Sequence, residues 1–194
     1  MNFNFEKYLR SSLLLVLLGP GSSMAQSLVP VSLSPSAEIQ LAPLQAEALS
    51  GREGKLPEEA EGRLLILIFG FTHASKKSSS LWENHLWNDF DSNSRCAIYG
   101  IADLSGAPRI LHGMIKSAMR SGLSPLHQDH FLILEKNGDD WKKRTGWLKE
   151  AADDSYLVLV SNRGEMLWQI HSPYSDADYQ QLKNKINETL MQSP

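Results

Sequence analysis

Leu64-Leu65-Ile66-Leu67-Ile68-Phe69-Gly70-Phe71, followed after a helical interval by Ala97-Ile98-Tyr99-Gly100-Ile101-Ala102-Asp103-Leu104, decides the fold class of this chain. The first run is apolar without alternation, as expected of a central strand covered on both faces. Between the two, residues 75–91 carry Leu81, Trp82, Leu86 and Phe90 at helical spacing, which predicts an amphipathic helix packed on that strand. Strand, helix and strand in so short a length form a right-handed parallel crossover. The class is therefore α/β, with residues 64–71 at the middle of the sheet.

Downstream, Leu111, Ile115, Ala118 and Met119 predict a second helix over residues 109–121, with Gly122 as its stop. Phe131-Leu132-Ile133-Leu134 reads as a third strand, and a short helix is expected over residues 141–148. Tyr156 to Val160, a turn at Asn162-Arg163-Gly164, and Glu165 to Ile170 predict an antiparallel hairpin, because Asn and Gly tolerate the positive φ of tight turns. Ser175 and Asp178 then resemble a capping box, flanked by Tyr174 and Tyr179 where a hydrophobic staple would sit. Tyr179, Leu182, Ile186 and Leu190 continue one apolar face, which predicts a C-terminal amphipathic helix. Upstream, Leu49 to Pro57 reads as a short hairpin with Gly51 and Gly54 supplying the turn.

The N-terminal end reads as a secretory signal peptide: Lys7 and Arg10, an apolar run from Leu13 to Leu18, and a small-x-small site at Ser23-Met24-Ala25. The apolar run ends at Gly19-Pro20, short of the roughly 20 residues that a membrane span needs. Three segments are expected: a signal peptide over 1–25, a flexible leader over 26–43 containing Pro30, Pro35 and Pro43, and one domain over 44–194. Export would place the protein in the periplasm or outside the cell, touching a membrane only through the transient signal peptide. With 42% hydrophobic and 21% charged residues and a formal net charge of −3, nothing in the composition favours nucleic acid. The basic run Lys142-Lys143-Arg144 stands beside Asp139-Asp140 and reads as a mixed, solvated face.

The order of elements, a hairpin, βαβαβ, a short helix and then ββα, resembles the thioredoxin-like fold. Its three layers enclose a central mixed sheet, here with an N-terminal β-hairpin extension. More narrowly, Gly113-Met114-Ile115, Met119 to Ser124, Trp141-Lys142-Lys143 and Tyr156 to Trp168 resemble bacterial relatives of the thioredoxin-like mitochondrial ATP synthase assembly factors. Uncharacterised periplasmic thioredoxin-like proteins share the same ending and lack the cysteine pair. The resemblance implies an assembly or chaperone-like task with a protein partner. It also places Ala74 and Lys77 where the two redox cysteines of the family would stand, and Ser155 where the family has its cis-proline. His171-Ser172-Pro173 replaces the family's Gly-Pro.

The one cysteine of the chain is Cys96. Disulfide exchange needs an attacking thiolate and a second thiolate to resolve the mixed disulfide, so the expected role is a non-redox binding or assembly module. The alternative is a single-cysteine thiol peroxidase or redox protein using Cys96. Free cysteine is among the most buried residue types, and Cys96, at the start of a strand, lacks the helix N-terminus that would lower its pKa. His127 and His130 flank Asp129, but no further ligand cluster lies near in sequence and neither a metal nor a cofactor is expected. No Gly-x-Ser-x-Gly elbow supports a hydrolase. The binding residues are therefore sought in His73, Ser75, Lys76 and Lys77, since loops beyond the carboxyl ends of strands are the binding position of this architecture. Trp82 and Trp168 fit the core, whereas Trp87 and Trp147 fit their patterns less well and stand either on an interaction surface or partly buried under a loop.

Overall fold

The computed structural model describes residues 39–60 and 62–192. The expected signal peptide and most of the expected leader lie outside them. Seven strands, β1 (Leu44–Ala48), β2 (Glu53–Leu56), β3 (Leu64–Gly70), β4 (Cys96–Asp103), β5 (Phe131–Leu134), β6 (Ser155–Val160) and β7 (Met166–Ser172), form one sheet in the order β2-β1-β5-β4-β3-β6-β7. β3 pairs in parallel with β4, and β4 with β5, while β6 lies antiparallel to β3 and β7 to β6. The sheet is mixed, as the sequence predicts.

Alternation across β3 divides the core. Leu64, Ile66 and Ile68 face helices α1 (Lys76–Phe90) and α4 (Asp176–Gln192), where they meet Trp82, Leu86, Tyr179, Leu182 and Ile186. Leu65, Leu67 and Phe69 face the other layer, against Trp141 of α3 (Gly138–Arg144), Tyr156 and Val158. Such a strand, buried on both faces, loses the polar-apolar alternation of a half-exposed one. Helix α2 (Arg109–Gly122) lies on the α1 side, over Ala102, Leu104 and Ile133. Its packing is light: Ile115 and Met119 are half-buried, and the expected inward residues Leu111 and Ala118 are exposed. The residue of α2 that is buried is His112, whose Nε2 lies 3.0 Å from the Ala107 carbonyl oxygen.

Several local expectations change in tertiary context. Gly51, at φ 95°, makes the β1–β2 turn, but Gly54 lies inside β2 opposite Ala46. A Cβ at Gly54 would stand 2.6 Å from Leu132, so close packing and not turn geometry demands glycine there. The expected boundary at Leu44 also moves. Gln40 bridges to Glu165, the Leu41 amide donates to Gly164, and the Leu41 side chain is buried in the core. The leader assigned to 26–43 is thus part of the domain from Ile39 onward, because an apolar side chain and an edge amide find partners on the β6–β7 turn. The α4 cap follows expectation, with the Asp178 amide donating to Ser175 Oγ at 3.1 Å.

Candidate functional site

The carboxyl end of β3 passes through Phe71 and Thr72 into the loop that starts α1. Thr72 Oγ1 accepts the Ser75 amide at 3.1 Å and donates to Asp153 Oδ1 at 2.8 Å, while Ser75 Oγ donates back to the Thr72 carbonyl at 2.8 Å. These bonds fix the loop and draw Ser75 inside, where it is 1% exposed. Of the four expected binding residues, Ser75 is therefore a loop-locking group and not part of an open surface. His73, Lys76 and Lys77 are exposed, and so is Ala74.

Ser155 opens β6 directly beside this loop, in register with Gly70. Its hydroxyl donates to Ser78 Oγ at 2.9 Å and lies 3.1 Å from Ser79 Oγ, and Ser78 Oγ in turn accepts the Tyr174 amide at 2.8 Å. The positions that the resemblance assigns to the cis-proline and to the start of the redox helix are joined here by hydroxyl groups. Gly70 permits the approach, since a Cβ there would stand 2.9 Å from Ser75 Oγ.

Cys96 is distant from this end. It pairs with Leu64 at the start of β3, whereas Gly70 at the other end of the ladder pairs with Ala102. Six residues of strand separate the two pairs, roughly 20 Å at the usual rise. The thiol is buried, and loss of solvation pushes its pKa up to about 11 despite the nearby Arg95 and Arg63. His127 and His130 go to separate neighbours: His127 stacks on Trp87 at 4.0 Å, and His130 tilts against Tyr99 at 5.0 Å. Burial is the leading cause that lowers the His130 pKa. Trp87 is therefore covered by the 125–130 turn, and Trp147 is half-buried against the core with Lys142 over its ring. Trp87 is thus a buried core residue beneath a turn, and Trp147 takes the partly buried alternative.

Between α1, α2 and the sheet lies a cavity of about 140 Å³. His73 and Lys76 stand on its rim, Met119, Leu123, Phe131 and Ala102 contribute apolar walls, and Glu83 reaches its interior. Lys77 does not line it. Glu83 is 4% exposed, and burial alone pushes its pKa up to about 8. Sequence reasoning missed this residue, although a signal exists. The buried face of α1 comprises Ser79, Trp82, Glu83, Leu86, Trp87 and Phe90, and within that three-and-four spacing Glu83 is the one ionisable group.

No protein-family model and no curated protein matches this chain. Solved structures do. A thiol:disulfide interchange protein from Bacteroides sp. superposes with a TM-score of 0.55 at 14% identity, covering 78% of this chain and 91% of that one. The pneumococcal exposed lipoprotein thioredoxin Etrx1 from Streptococcus pneumoniae gives 0.55 at 11% identity, covering 76% and 99%. BsSco, a member of the Sco family of cytochrome c oxidase assembly proteins, gives 0.53 at 13% identity, covering 77% and 92%. With its mixed sheet and helices on both sides, the chain has the thioredoxin-like fold. Among the described residues no helix is long and apolar enough to cross a membrane.

Proposed function

We propose that this chain is an exported binding module of the thioredoxin-like fold that engages another protein through the loop bearing His73, Lys76 and Lys77, without exchanging disulfides. The observation that carries this reading is the separation of thiol from loop: the loop residues Ala74 to Lys77 include no cysteine, and Cys96 is buried at the opposite end of the β3–β4 ladder. The loop itself is built to present groups. Thr72, Ser75 and Asp153 hold its backbone while the side chains of His73, Lys76 and Lys77 extend to solvent, with a positive helix end behind them. The Sco-family neighbour, an assembly protein, supports an assembly-assisting task, and the small-x-small site at Ser23-Met24-Ala25 supports export.

The test is the triple variant His73→Ala, Lys76→Ala, Lys77→Ala, used as bait in periplasmic extract beside the parent. Loss of captured partners with an unchanged thermal melt is the expected result, since exposed substitutions shift stability by less than about 0.5 kcal/mol. An unchanged partner profile would overturn the reading. A second reading, thiol chemistry at Cys96, draws on the neighbours that are thiol:disulfide interchange proteins. Peroxide consumption abolished by Cys96→Ser would favour it.

A further inference from the structure

The cavity between α1 and α2 holds a feature that the partner reading leaves unused. Glu83 places a carboxyl group on the sheet side of α1, over Gly100 of β4: a Cβ added at Gly100 would stand 2.6 Å from Glu83 Oε1 and 2.7 Å from the Phe131 ring. Glycine at 100 thus vacates the space that the carboxyl takes. No described residue hydrogen-bonds or ion-pairs with that carboxyl, and burial is the sole cause of its raised pKa. Buried polar groups without a partner are costly and uncommon in folded proteins. Here the unsatisfied group borders an open volume with apolar walls from Ala102, Met119, Leu123 and Phe131 and hydroxyl-bearing residues Thr72, Ser75, Ser79 and Ser80 on the α1 side.

We propose that this cavity binds a compact, uncharged, largely apolar molecule carrying a carboxamide-like group, which pairs with the Glu83 carboxyl through two antiparallel hydrogen bonds. Size sets the first limit, because 140 Å³ is close to the roughly 150 Å³ of an engineered apolar cavity that takes benzene. Chemistry sets the second. A protonated carboxyl offers one O–H donor and one carbonyl acceptor side by side, and a carboxamide offers the complementary C=O and N–H, so both groups are satisfied without burying charge. A cationic head would require ionised Glu83 inside an apolar chamber, where desolvating both ions opposes their attraction. Lys76 at the rim further repels a cation. This inference does not rest on the loop's partner. The carboxyl lies inside, and the cavity can fill whether or not a protein sits on His73 and Lys77.

The test uses the ¹⁵N-labelled full chain at pH 6.5, titrated in parallel with benzamide, toluene and benzylamine while the amide signals of Gly70, Gly100 and Gly122 are followed. Benzamide is expected to give saturable shifts at these glycines and to bind at least about tenfold more tightly than toluene, the margin that one net hydrogen-bond pair supplies. Glu83→Leu should bring benzamide and toluene to equal affinity, and Glu83→Gln, which keeps a donor and an acceptor, should retain the preference. Benzamide binding no better than toluene in the parent chain overturns the proposal even if Glu83→Leu fails to fold. Tighter binding of benzylamine, shifts confined to other residues, or no saturation by any of the three would overturn it equally. Lys77→Ala, which lies outside the cavity, should keep the benzamide preference whatever it does to partner capture, which separates this outcome from failure of the partner reading.

Discussion

The Oγ atoms of Ser79 and Ser155 stand 3.1 Å apart, fastening the first turn of α1 to the first residue of β6. Ser155 is fully buried, and its own hydroxyl proton goes to Ser78 at 2.9 Å. Since one hydroxyl has one proton to give, Ser79 is the donor to Ser155. A proline at 155, as the resemblance would place there, could form neither bond. The region that the related fold devotes to disulfide chemistry is used here to hold a helix on the sheet.

Ser155→Ala removes both bonds and leaves the Ser79 hydroxyl buried without its acceptor. The expected cost is roughly 1–2 kcal/mol, because an orphaned buried donor forfeits its solvation. Urea unfolding of parent and variant measures it; equal midpoints would show that the serine cluster contributes nothing net.

Glu83 makes stability depend on pH. In the folded chain the carboxyl keeps its proton up to about pH 8, against 4.5 once unfolded. Between these values the folded state binds more protons, so stability falls as pH rises through that window. Glu83→Gln should match the parent near pH 4 and exceed it at pH 8 by on the order of a few kcal/mol. Denaturation at a series of pH values checks this, and parallel curves for the two proteins would contradict it.

Cys96 should be chemically quiet in the native state. Burial pushes its pKa up to about 11, leaving little thiolate at neutral pH. Titration with a chromogenic disulfide reagent is expected to be slow in buffer and fast in denaturant, with one thiol counted per chain. Rapid native labelling would instead point to an accessible, activated sulfur.

Leu41 anchors the stretch ahead of β1. Leu41→Ala removes a side chain that is 6% exposed and should destabilise the domain by about 2–3 kcal/mol. A loss below about 0.5 kcal/mol, the range of exposed substitutions, would return residues 39–43 to the leader. Thermal melts of the two proteins suffice.

What could be read from the sequence followed from local chemistry. The unbroken apolar run of β3, the three-and-four spacing of Trp82, Leu86 and Phe90, the Asn162-Arg163-Gly164 turn and the Tyr179 to Ile186 stripe all report on residues close in sequence, and they determined the α/β class and the order of elements. The missing cysteine pair was equally legible, since Ala74 and Lys77 need no structure to be seen. Tertiary structure alone decided the rest, because it depended on which distant residues meet. Leu111 and Ala118 lie on the stripe expected of α2, yet the helix sits lightly on the sheet and leaves them in solvent. Ser75 looks like a surface residue until Thr72 and Asp153 fold the loop around it. Glu83 shows the difference most plainly: its place on the apolar face of α1 is written in the spacing, but its solvent-poor chamber exists because Gly100, Phe131 and Met119, from two strands and another helix, close around the carboxyl. Burial is a property of the assembled chain, and so is the chemistry that burial creates.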